Sequence, residues 1–144
     1  MGEARDSPAG LKPATSGQKG FALIGCDIIS LVKIIQGKIT IEELKKMAQS
    51  KFGNLVKAVV DIERGVVAID ADLHADEEAL LLENGSKQQD LWGINIYPEL
   101  KKDEWIEFDS MINLKPAQGN RARGINSPEI REKIVQIINI MVKP

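Results

Sequence analysis

The recurrence of apolar residues along this chain changes period several times, and each change marks an element. Val32-Lys33-Ile34-Ile35-Gln36 is a short β-like run closed by Gly37. From Thr40 the spacing becomes helical: Leu44, Met47, Ala48 and Phe52 fall on one face. Thr40 and Glu43 stand at capping-box separation, which satisfies two free amides at a helix start. Gly53 suits the left-handed C-terminal cap. Residues 55–63 and 66–73 then alternate on either side of Arg64-Gly65. A two-residue turn there would pair Ile62 with Val67, Val60 with Ile69, Ala58 with Ala71 and Val56 with Leu73, making one apolar face. The other face carries Lys57, Val59, Asp61, Glu63, Val66, Ala68, Asp70 and Asp72. It is expected to meet solvent, with Lys57 opposite Asp72.

Residues 75–83 read as a short helix, with Asp76, Glu77 and Glu78 in the first turn, where the helix dipole favours negative charge. Gly85 stops it. A second hairpin follows: Trp92, Ile94 and Ile96 alternate, as do Ile106, Phe108 and Ile112. Pairing Ile96 with Ile106 sends Ser110 inward and sets Tyr97 against Trp105 as an exposed pair. Ser127 caps the last helix, Pro128 takes its first position, and Ile130, Ile134, Ile137, Ile138 and Met141 form its apolar stripe. The pattern predicts an α+β fold for residues 32–144 as one globular domain. It is a two-layer sandwich, with a mostly antiparallel sheet of four to five strands from two hairpins, covered by two longer helices, plus one short helix.

Residues 1–31 differ. Their first twenty positions hold four Gly, two Pro and one large apolar residue, Leu11, too little to offset the entropy of ordering. This segment is expected to be disordered, or an extension from a start codon placed too far upstream. Leu23-Ile24-Gly25-Cys26 looks like a lipoprotein cleavage box. A signal peptide, however, needs an apolar core of about 7–15 residues, and only Phe21–Ile24 precede the glycine.

Composition removes several classes of function. The 144 residues carry 19 basic and 21 acidic side chains, a net charge of −2, so bulk nucleic-acid binding is not expected. One cysteine and one histidine, Cys26 and His74, exclude an internal disulfide, a cysteine zinc site and a multi-histidine centre. No apolar run of about 18 residues exists, no membrane association is expected, and the expected location is the cytoplasm. No motif calls for a cofactor.

Several blocks, in order, carry a resemblance. They are Leu73-His74-Ala75-Asp76-Glu77-Glu78-Ala79-Leu80-Leu81-Leu82-Glu83-Asn84-Gly85-Ser86, Leu91-Trp92-Gly93-Ile94-Asn95-Ile96-Tyr97-Pro98, Glu107-Phe108-Asp109-Ser110-Met111-Ile112-Asn113 and Gln118-Gly119-Asn120-Arg121-Ala122-Arg123-Gly124. Together they resemble a family of short prokaryotic proteins, domain of unknown function 5674, from about Val32 to the C-terminus. The resemblance implies that residues 1–31 have no counterpart in the family. It brings no activity, substrate or catalytic residue.

Three groups could carry chemistry. Asp70, Asp72 and His74 share a strand face if the strand runs on to His74, and such a set suits a divalent cation. The loop Gln118-Gly119-Asn120-Arg121-Ala122-Arg123-Gly124 holds two guanidinium forks, two glycines and no acid. It suits the phosphate or carboxylate of a small ligand or a protein partner. The competing reading ties Arg121 and Arg123 to Asp109, Glu107 or the acidic helix as a structural clasp. Edge strands and the Tyr97–Trp105 patch are candidates for homo-oligomer contacts. The first reading of function is therefore an anion-binding module using Gln118, Gly119, Asn120, Arg121 and Arg123. The alternative is a small metal-assisted hydrolase, with Asp70, Asp72 and His74 on the cation, Arg121 and Arg123 on an anionic substrate, and His74, Glu77, Glu78 and Asp109 as candidate catalytic groups.

Overall fold

The computed structural model describes residues 33–144. The N-terminal extension and the Leu23–Cys26 box lie outside the described residues. In chain order the elements are β1 (Lys33–Ile35), β2 (Ile39–Thr40), α1 (Ile41–Lys51), β3 (Val56–Asp61), β4 (Val66–Ile69), α2 (His74–Glu83), β5 (Leu91–Ile96), β6 (Ile106–Glu107), α3 (Pro128–Met141) and β7 (Val142–Lys143). Five strands form one antiparallel sheet in the order β1-β4-β3-β5-β6. With three helices this is an α+β fold. A feature the periodicity did not reveal is a short parallel pair, Ile39 beside Val142 and Thr40 beside Lys143.

The caps form where their residues demand them. Thr40 accepts the Glu43 amide at 3.1 Å while the Glu43 carboxylate accepts the Thr40 amide at 3.0 Å. Ser127 accepts the Ile130 amide with Pro128 in the first turn. Gly85, at φ 100°, ends α2; its amide reaches the Leu82 carbonyl and that of Ser86 the Leu81 carbonyl, the paired bonds of a Schellman ending.

The first hairpin corrects the expected turn. Asp61 pairs with Val66 and Val60 with Val67, so four residues, not two, make the loop. A two-residue primed turn would force Arg64 to positive φ, which costs any residue with a Cβ. Instead Asp61 Oδ1 accepts the amides of Glu63 and Arg64, both at 2.9 Å, and Gly65 alone turns left-handed. The register moves by two residues, so every side chain keeps its face.

Ala58, Val60, Val67, Ile69, Trp92, Ile94 and Ile96 do form one core face, packed under Leu44 and Ala48 of α1 and Ile134, Ile138 and Met141 of α3. The opposite face does not meet solvent as expected. Val59, Val66, Ala68 and Leu91 are buried with Leu81 of α2, and Asp61 is fully buried too, its second oxygen taking the Ser86 hydroxyl at 2.6 Å. Trp105 likewise is buried in the main core, so the exposed Tyr97–Trp105 pair is not formed. The Tyr97 amide does bond the Trp105 carbonyl at 2.8 Å, but the strand is only Ile106–Glu107, and Met111–Asn113 is a helical turn.

Candidate functional site

The second sheet face is apolar at one end and polar at the other. Helix α2 presents His74, Glu77 and Leu81 to it, all buried, at the separations that share a helix face. Leu81 covers the apolar half. His74 and Glu77 reach the half that holds Lys57 and Asn95, which lie side by side across β3 and β5.

His74 Nε2 lies 2.8 Å from the Ile94 carbonyl oxygen. A carbonyl only accepts, so Nε2 carries the proton. Burial pushes the imidazole below its ordinary value; Lys57 and Arg123 push the same way, while the Ile94 carbonyl and Asp109 oppose. The glycine beside it, Gly93, is required by close approach. A Cβ there would lie 2.6 Å from Ser110 Cβ and 3.2 Å from His74 Cδ2. Asn113 bonds the backbone of the same residue: its side-chain amide exchanges hydrogen bonds with both the N–H (2.8 Å) and the carbonyl (3.0 Å) of Gly93. A side chain thus takes the place of a strand neighbour where β6 has ended.

The Gly/Arg loop is built around Asn120. Its Nδ2 lies within hydrogen-bond distance of the carbonyls of Asn113, Ala122 and Gly124, and its Oδ1 accepts the Asn126 amide at 2.8 Å. Gly119 is left-handed at φ 82°, and Gln118 reaches the Gln89 carbonyl at 3.2 Å. Arg123 turns to Asp109, Nε to Oδ1 at 2.7 Å and a terminal nitrogen to Oδ2 at 3.4 Å, the clasp that competed with ligand binding. Arg121 is exposed, and among the described residues no carboxylate lies within ion-pair distance of it.

The acidic residues do not assemble as a ligand set. Asp70 leaves the strand at φ 75°, so the two-residue alternation needed to align Asp70, Asp72 and His74 stops there. Asp72 is exposed and pairs with Lys51 at 3.3 Å rather than with Lys57. Among the described residues no three His, Cys, Asp or Glu side chains are grouped to hold a metal ion.

Of the residues singled out in the sequence, His74, Asp109 and Arg123 come together, with Glu77 on the same helix face as His74. Asp72, Gln118 and Arg121 stand apart on the surface. Glu78 lies near Lys115 and acts on its charge. Sequence reasoning missed four contributors: Lys57, Asn95, Asn113 and Lys115. Strand alternation puts Lys57 on this face, though as a surface ion pair with Asp72, and carried across to β5 it would add Asn95 beside it; nothing local marks Asn113. Lys115 is buried, its Nζ on the Gln88 carbonyl at 2.8 Å and 5.3 Å from the Trp92 ring centre, and burial lowers its pKa. Tyr97 and Asn95 both donate to one oxygen of Glu107 at 2.9 Å. Two shallow depressions lie elsewhere, one along α3 at Glu129 and Lys133, the other between Ile35 and Ile140.

No helix among the described residues is long and apolar enough to cross a membrane. No curated protein and no solved structure matches the chain. The family described as "Protein of unknown function (DUF5674)" matches residues 33–141, and the chain belongs to that family.

Proposed function

We propose that this protein binds a small molecule through an anionic group, phosphate or carboxylate, held at the loop 118–124. The observation that supports it is the preformed loop. Asn120 fixes its backbone from inside, so Arg121 and Arg123 project from a rigid turn, and ordering a ligand there costs little loop entropy. Arg121 offers its full fork. Arg123 is held in place by Asp109 and keeps donors beyond the two that Asp109 uses.

A titration of the full chain with inorganic phosphate and with citrate, followed by thermal unfolding, tests this. At a ligand concentration tenfold above Kd, linkage adds about 1.4 kcal/mol of stability, and the midpoint rises. Arg121→Ala is expected to abolish the rise with little change in the unliganded midpoint. An unchanged midpoint in the wild-type chain across both anions overturns the reading.

A further inference from the structure

Three atoms at the polar end of the second sheet face are buried and lack any hydrogen-bond partner: Asp70 Oδ1, Glu77 Oε1 and Asn95 Oδ1. All three are oxygens that accept, and a buried acceptor left unpaired costs about 1–3 kcal/mol. Glu77 is fully buried. Its other oxygen accepts the Ala71 amide at 3.1 Å, which sets the carboxyl against the peptide joining Asp70 to Ala71. Asp70 itself sits at φ 75°, a conformation a non-glycine residue holds only when its surroundings compel it.

We propose that Glu77 keeps its proton and donates it from Oε1 to Asp70 Oδ1, so that a carboxylic acid–carboxylate pair latches the first turn of α2 onto the end of β4. One proton then satisfies two of the three orphaned oxygens. The choice of which acid holds it follows from the surroundings. Asp70 is partly exposed and feels Lys51 and Lys33, which favour its charge. Glu77 is wholly out of water; Asp70 and Asp76 oppose its ionisation, and only the Ala71 amide and Lys57 favour it. Ionising Glu77 would leave two carboxylates at one buried junction and loosen that turn. This inference concerns α2 and does not depend on anion binding by the loop.

The test is a 13C NMR titration of the Glu77 side-chain carboxyl in the full chain, with the Ala71 amide followed in parallel. Glu77 is expected to titrate above an ordinary glutamate, because burial penalises its charge, with Ala71 moving at the same pH. Glu77→Gln supplies a neutral amide of the same shape. Its midpoint relative to wild type is expected to improve as pH rises from about 4 to about 8, because only the wild-type fold must retain a proton. Asp70→Asn removes the negative neighbour and is expected to bring the Glu77 titration down. An ordinary Glu77 titration, or a Glu77→Gln midpoint that worsens with rising pH, shows an ionised Glu77 and overturns the latch. A Glu77 titration unmoved in Asp70→Asn shows that Asp70 is not the partner and overturns it as well.

Discussion

The two faces of the central sheet solve different problems. The face under α1 and α3 is apolar throughout, and its side chains gain by leaving water, at about 25 cal/mol per Å². The face under α2 is apolar only around Val59, Val66, Ala68, Leu81 and Leu91. Beyond them it buries His74, Glu77, Asn95 and Asn113, where each donor and acceptor must find a partner. The first face tolerates any well-fitting hydrophobe. The second is specified by individual bonds, and polar groups that could serve a function collect there.

Neighbours on β5 give the sharpest contrast. Ile94 faces the first core and Gly93 the second. Ile94→Ala is expected to cost about 3–4 kcal/mol, as a cavity in a packed apolar layer does, measured by urea unfolding. Gly93→Ala adds one methyl and is expected to cost about 2–3 kcal/mol by overpacking, since its Cβ would meet Ser110 at 2.6 Å. A neutral Gly93→Ala would break the distinction, because it would mean the 110–113 segment does not press on the strand.

Asn120→Ala is expected to cost about 2 kcal/mol, since it frees buried carbonyls rather than removing apolar surface. The same urea series reads it, together with weaker phosphate binding if the loop carries the anion site.

Acid should weaken the polar face through His74. The His74 imidazole is held below its ordinary value of 6.5, first by burial. Its contribution is therefore complete above the unfolded pKa and is lost as pH falls from there toward the lower folded value. Thermal midpoints between about pH 7 and pH 5 should fall further for the wild type than for His74→Gln. Equal slopes would mean that His74 is not buried in its neutral form. Glu77 works in the opposite sense: a folded pKa held above that of the unfolded chain makes its contribution full in acid and diminished as pH rises. The smallest effect belongs to the surface. Arg123→Ala removes an ion pair between half-exposed side chains and is expected to change stability by less than about 1 kcal/mol.

Most of the elements were legible because their signals are local. Thr40, Glu43, Gly53, Gly85, Ser127 and Pro128 each act within one turn, and alternation in β3, β4 and β5 sorted the first core face as far as Ile69, although the hairpin register was displaced by two and Leu73, expected opposite Val56, lies past the strand end and is exposed. The site was legible only in pieces. His74, Asp109 and Arg123 could be named from their chemistry, but Asp109 lies in no regular element and Arg123 reaches it across fourteen positions of chain.

Periodicity and capping chemistry alone determine that the chain alternates strands with helices, and which side chains of each strand point together. Both follow from backbone geometry repeated every two or 3.6 residues. Only the tertiary structure decided that α2 folds over the second sheet face, that Trp105 turns inward, and that Asp61 and Glu77 are buried. Those outcomes depend on which surfaces meet after the chain has crossed the sheet. A carboxylate beside a valine on a strand has the same local pattern whether water or a helix lies above it.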